Sequence, residues 1–225
     1  MKAKLLIMFI ALFALAGNNG VNAQTKKKKN QPVPAEAVDL GLPSGTKWAP
    51  YNVGATKPEE FGDFYAWGET KTKNPLRYTK EDYRYYKNRR EYVNIGDDIS
   101  RTEYDVAHVK WEGNWCMPTK DDVKELLDNC KFMWTKVNGV IGGMFTSKIN
   151  GNYIFLPAAG GPWYEEHRYV GEIGKYWLSA QDPDDNFNAY SLVFGSNRTF
   201  WGGGYDRGAG QCVRPVLKNN ASLPI

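Results

Sequence analysis

Apolar positions recur with helical spacing in two short segments and with strand spacing over most of the second half of the chain. From Thr119 to Cys130, Val123, Leu126, Leu127 and Cys130 fall on one side while Lys120, Asp121, Lys124 and Glu125 fall on the other. That spacing predicts a helix with one buried face. Thr119 with Asp122 three residues on gives it a capping box, Asp standing where Glu or Gln is usual. A shorter helix is predicted over Tyr104 to Trp111, with Val106, Ala107 and Trp111 inward and His108 partly buried. From Phe132 on, the segments Phe132 to Lys136, Met144 to Lys148, Tyr153 to Leu156, Tyr176 to Ser179, Ala189 to Phe194 and Cys212 to Leu217 read as strands. Asn138-Gly139, Gly142-Gly143 and Asn150-Gly151 stand between the first three as turn signals. Upstream, Val38 to Ala49 reads as a hairpin and Phe64 to Glu69 as an aromatic strand. Thr72 to Asp98, rich in Tyr and charge, fits no period and is expected to be a long surface excursion. The sum is α+β: two short helices and a twisted antiparallel sheet with long loops.

The N-terminus changes how charge is read. Lys2 and Lys4, an apolar run from Leu5 to Ala16 and a small-residue end at Ala23 have the order of a secretory signal over residues 1–23. The apolar run is short for a membrane span, so the expectation is export with no transmembrane segment after cleavage, to the periplasm, the cell surface or the medium. Residues 24–35, with Lys26 to Lys29 and two prolines, form a basic tether; residues 36–218 form one domain and 219–225 a tail. The formal charge of +4 turns negative once Lys2, Lys4 and Lys26 to Lys29 are set aside. The basic balance therefore belongs to the chain's ends, and nucleic acid is not an expected partner. Aromatics at 14% and 23 glycines suit short strands and tight turns better than a helical bundle.

Several motifs, in order, carry a resemblance: Val38-Asp39-Leu40-Gly41-Leu42-Pro43-Ser44-Gly45, Asn52-Val53-Gly54-Ala55, Tyr65-Ala66-Trp67-Gly68-Glu69, Trp115 through Thr119, Ile154 through Gly160, Tyr176-Trp177 and Val213-Arg214-Pro215-Val216. From about Ala37 to Leu217 the chain resembles the Fibrobacter succinogenes major paralogous domain family of exported Bacteroidetes proteins. That family is similar in turn to the formylglycine-generating branch of the C-type lectin-like fold. The resemblance implies a C-type lectin-like domain and export, and implies little about activity. The formylglycine generators carry a cysteine pair near the end of the domain, whereas Gly203 to Cys212 here offers one. Three cysteines in an exported chain allow one disulfide and one thiol, and the sequence leaves the pairing open. Cys116 with Cys212 is favoured because each sits beside a Pro-containing strand-like segment. Relatives usually carry Arg at the first position and a small or apolar residue at the second, and often Cys where Tyr51 stands.

Candidate chemistry concentrates late in the chain. Trp163 and Tyr164 follow a Gly-Gly-Pro turn, and Asn197, Arg198, Phe200, Trp201, Tyr205 and Arg207 fall in a Gly-rich segment expected to be loop. Rings with adjacent amide and guanidinium donors suit recognition of a glycan or an extracellular protein, because the ring covers apolar area and the donors fix orientation. The competing reading makes Trp201 and Tyr205 core plugs. Asp182, Asp184 and Asn186, with Asn188, offer alternating oxygens of the kind calcium takes, though a turn uses the same residues. No other cofactor is indicated. His108 and His167 lack a nucleophile motif, and His167 is expected in a solvated loop. The expectation is a non-catalytic recognition module; the alternatives are a degenerate formylglycine-type enzyme or a structural subunit of a surface assembly.

Overall fold

The computed structural model describes residues 33–74, 79–89, 91–163 and 166–219. The expected signal, most of the tether and residues 220–225 of the tail lie outside the described residues, as does Tyr78. Both predicted helices form: α1 (Val106–Trp111) and α2 (Lys120–Asn129). The capping box at α2 is complete, since the Asp122 amide donates to the Thr119 hydroxyl and the Asp122 carboxylate accepts the Thr119 amide at 2.9 Å. Asp105 caps α1, accepting from the Ala107 and His108 amides, and its second oxygen takes the Arg101 and Met117 amides.

The strands, in chain order, are β1 (Lys47–Trp48), β2 (Tyr86–Asn88), β3 (Glu91–Tyr92), β4 (Trp115–Cys116), β5 (Cys130–Val137), β6 (Val140–Ser147), β7 (Tyr153–Pro157), β8 (Gly161–Trp163), β9 (Glu166–Arg168), β10 (Ile173–Gln181), β11 (Asn188–Gly195), β12 (Arg198–Asp206) and β13 (Val216–Leu217). They pair antiparallel in orders β5-β6-β7, β10-β11-β12 and β1-β13-β4, with hairpins β2-β3 and β8-β9. The architecture is α+β, and the single expected sheet is several. Asn138-Gly139 makes the β5-β6 turn with φ of 47° and 88°, the left-handed pair a two-residue hairpin requires. Gly142-Gly143 is a correction: the pair lies inside β6, opposite Pro157 and Leu156. A Cβ on Gly142 would meet the Leu156 carbonyl at 2.3 Å, and one on Gly143 the Phe132 ring at 2.6 Å. Close packing, not a turn, selects these glycines.

Alternation along β10 and β11 puts two cores on opposite faces of one sheet. Tyr176, Leu178, Leu192 and Phe194 join α2 and the β5-β6-β7 sheet in one cluster; Trp177 and Ala189 join α1, Trp67 and Val213 in the other. At the seam sits Arg214, fully buried. It donates to Asn52 Oδ1 at 2.7 Å and to the carbonyls of Ala49, Pro50 and Phe155. Tyr176 donates to the Pro157 carbonyl at 2.7 Å and accepts from Asn52. Four of the quoted motifs thus meet in one buried polar node. Burial pushes the Arg214 guanidinium down to about 10, and it remains charged at neutral pH.

The Thr72–Asp98 excursion is also corrected. Tyr83, Tyr85 and Tyr92 bury their rings in a third cluster, each hydroxyl donating inward: to the Trp67 carbonyl, the Gly68 carbonyl and Asp206. Tyrosine permits this because an apolar ring carries a polar tip that stays bonded when buried. Among the described residues no helix is long and apolar enough to cross a membrane.

Candidate functional site

The Gly-rich segment expected to be loop is mostly strand. Arg198 to Asp206 forms β12, the end strand of its sheet, so residues predicted as one cluster are divided between two faces. Arg198 and Phe200 share a face; Trp201 lies on the other, half-buried, its ring 5.8 Å from Tyr190, which carries Lys120 Nζ at 4.8 Å.

The face holding Arg198 has a defined corner. Ile173, Gly195 and Arg198 align across the three strands, and Lys175, Val193 and Phe200 form the next row on the same side. At the sheet's end a 340 Å³ cleft is lined by Glu172, Ile173, Gly195, Ser196, Asn197 and Arg198. The Arg198 guanidinium lies 5.3 Å from the Phe200 ring centre, and Lys175 Nζ lies 5.3 Å from that of Tyr205. Burial pushes the Tyr205 phenol up, with the Arg198 charge opposing it, and burial pushes the Lys175 ammonium down. Among the described residues neither Lys175 nor Arg198 has a carboxylate partner, whereas Lys73, Lys80, Lys124 and Lys218 each do.

Sequence reasoning missed Lys175. The signal was present: a lysine between Ile173 and Trp177 at strand spacing, where alternation calls for an apolar residue. Of the predicted residues, Asn197, Arg198, Phe200 and Tyr205 belong to this corner or border it. Trp163 ends β8 and its backbone pairs with Glu166, while Tyr164 lies outside the described residues.

Arg207 is a correction. It is fully buried, donating to Tyr83 Oη at 3.1 Å, Gln181 Oε1 at 3.0 Å and the carbonyls of Asn186 and Val93 at 2.9 and 3.1 Å. Its guanidinium lies 4.7 Å from the Trp67 ring centre. It fastens the Tyr-rich segment to β12 and is closed to a ligand.

The Cys116–Cys212 disulfide is likewise not formed. All three cysteines are free and buried; Cys116 lies opposite Val216 in β4, and the Cys212 thiol donates to the Phe61 carbonyl at 3.3 Å. Burial raises Cys116 and Cys130 to about 11 each and Cys212 further, so they stay protonated at neutral pH. Asp182 accepts the Asp184 amide and Asp185 accepts the Phe187 amide and the Asn188 side chain, which are turn roles, while Asn186 donates to the Tyr92 carbonyl and ties the turn to the Tyr-rich segment. Among the described residues no three His, Cys, Asp or Glu side chains gather as metal ligands. His167 is half-buried rather than solvated, with Nε2 at 2.6 Å from the Ala159 carbonyl and its ring edge-on to Phe64. A second cleft, of 460 Å³, is lined by Glu69, Lys73, Asp82 and Arg84 among others, but Glu69 already pairs with Lys73 at 3.1 Å and accepts the Arg84 amide. No family model, curated protein or solved structure matches the chain.

Proposed function

We propose that this chain is an exported, non-catalytic recognition module on a C-type lectin-like scaffold of the Fibrobacter major paralogous kind, binding a glycan or an extracellular protein at the corner formed by Lys175, Asn197, Arg198, Phe200 and Tyr205. The observation that carries the reading is the open cleft beside two cations that have no carboxylate partner among the described residues. A guanidinium and an ammonium held over rings keep donors in place at low ordering cost, which suits binding. The test is a glycan array and an extracellular-protein panel probed with the chain from Gln24 onward, with and without a calcium chelator. Binding that weakens at least about tenfold in Phe200→Ala is expected. A parent protein that binds nothing in either panel sinks the reading; loss on chelation moves the site to the Asp182–Asn188 turn.

The free edge of β12 supports a second reading, a subunit of a surface assembly. Among the described residues its outer backbone has no partner, and such edges template strand addition. Concentration-dependent association in sedimentation, abolished by Thr199→Pro, would favour it.

A further inference from the structure

We infer that the ligand of this corner is an acidic sugar residue, one carrying a carboxylate or sulfate group; the inference rests on the recognition reading above and assigns its chemical class. Several long cations of the fold show what a satisfied positive charge looks like here, although Lys120 and Arg84, like the pair at this corner, lie over rings with no carboxylate partner among the described residues. Lys73, Lys80, Lys124 and Lys218 meet carboxylates, and the buried Arg207 and Arg214 meet carbonyls and side-chain oxygens. Among the described residues Lys175 and Arg198 have no carboxylate partner and lie over the rings of Tyr205 and Phe200.

For Arg198, exposed at the strand start, water supplies the rest. Lys175 is different. It stands on one face of β10 between Ile173 and the fully buried Trp177, with its stem against Gly161, so its charge is partly stripped of water, and among the described residues no carboxylate pairs with it. A partly desolvated cation gains most from an anion that replaces the lost hydration. Lys175 and Phe200, the ring beside Arg198, stand in one row on the same face with Val193 between them, so the two cations border one stretch of the sheet. An anion there meets a fork donor, a point charge and a phenol.

Size selects a sugar over an extended acidic surface. A 340 Å³ cleft lies at the small end of ligand pockets and suits one or two ring-sized groups. Ser196 and Asn197 on its rim supply hydroxyl and amide partners for sugar hydroxyls. Glu172, exposed on the opposite wall, disfavours an anion on its own side, which directs the acidic group toward Arg198 and Lys175.

The experiment measures binding of the chain from Gln24 onward, at low and at physiological salt, to oligogalacturonate, its neutral methyl ester, dextran sulfate, plain dextran and polyglutamate. Oligogalacturonate or dextran sulfate, or both, should bind at least about tenfold tighter than the neutral counterpart, and the two arms tell carboxylate from sulfate. Affinity should fall with salt and drop about tenfold in Arg198→Gln, whose exposed side chain leaves the fold intact. Lys175→Gln should lose at least as much, and Lys131→Gln, an exposed lysine on β5, should change nothing. Equal binding of acidic and neutral glycans, unaffected by Arg198→Gln, overturns the acidic assignment while recognition stands. Binding to polyglutamate and to no acidic glycan overturns it in favour of a protein partner. No binding to any probe or to any member of the wider panels takes down both.

Discussion

Arg207→Ala offers the sharpest test of how this fold is held. The guanidinium makes four hydrogen bonds to oxygens of four residues and lies within 5.8 Å of three ring centres, with no exposure to solvent. Hydrogen bonds to a charged group contribute about 1.5–3 kcal/mol each, and a desolvated cation over a ring about 2 kcal/mol. Those figures do not add, because the gross terms include the cost of burying the charge. Truncation removes that cost too, but it orphans the carbonyls of Val93 and Asn186 and opens a gap among Trp67, Tyr83 and Tyr92. The net loss should be about 4 kcal/mol, in the range found when a buried charge network loses one member. For a domain of this size that is about 8–16 °C in Tm. Urea unfolding followed by tryptophan fluorescence measures it, and limited proteolysis should show residues 79–98 cut first, since Arg207 joins that segment to β12. Arg207→Lys, lacking the fork, should fall between. A loss under about 1 kcal/mol, with unchanged proteolysis, would falsify the assignment of Arg207 as a pin and return it to the surface site.

Thr119→Ala removes the hydroxyl that accepts the Asp122 amide and should cost about 1 kcal/mol in the same unfolding assay; no change would mean that Asp122 alone holds the helix start. The thiols should resist a water-soluble disulfide reagent in the folded protein and all 3 should react on unfolding; fewer than that in unfolded, unreduced protein would restore the disulfide. Asp105→Ala should destabilise by at least about 2 kcal/mol, since four backbone donors lose their acceptor. Burial outweighs those donors and raises the Asp105 carboxyl above its ordinary 3.8. A raised folded pKa means the folded state holds the proton more tightly, so the group's stabilisation is present below pH 3.8 and lost as pH rises through the folded value. The variant's deficit should therefore narrow from pH 3.5 to pH 7; a deficit that widens contradicts the sign.

What the sequence determined by itself were the features governed by neighbours a few residues apart. Helical spacing and the Thr119–Asp122 pair specify α2, because a cap and one apolar face are local properties. Asn138-Gly139 specifies a hairpin, because few residues tolerate two successive left-handed positions. The α+β class follows from the same local signals. Tertiary structure decided everything that depended on which side of a sheet a residue faces and what lies across from it. Phe200 and Trp201 look equivalent in the sequence, yet period two sends them to opposite faces. Arg198 and Arg207 each follow a polar residue in the same Gly-rich stretch, yet one is exposed and the other is caged by rings from the distant Tyr-rich segment. Gly142-Gly143 reads as a turn until Phe132 and the Leu156 carbonyl stand where side chains would go. Lys175 acquires meaning only when Tyr205 folds beneath it and, among the described residues, no carboxylate does. Burial and charge compensation are long-range sums, and they exist only once the strands have paired.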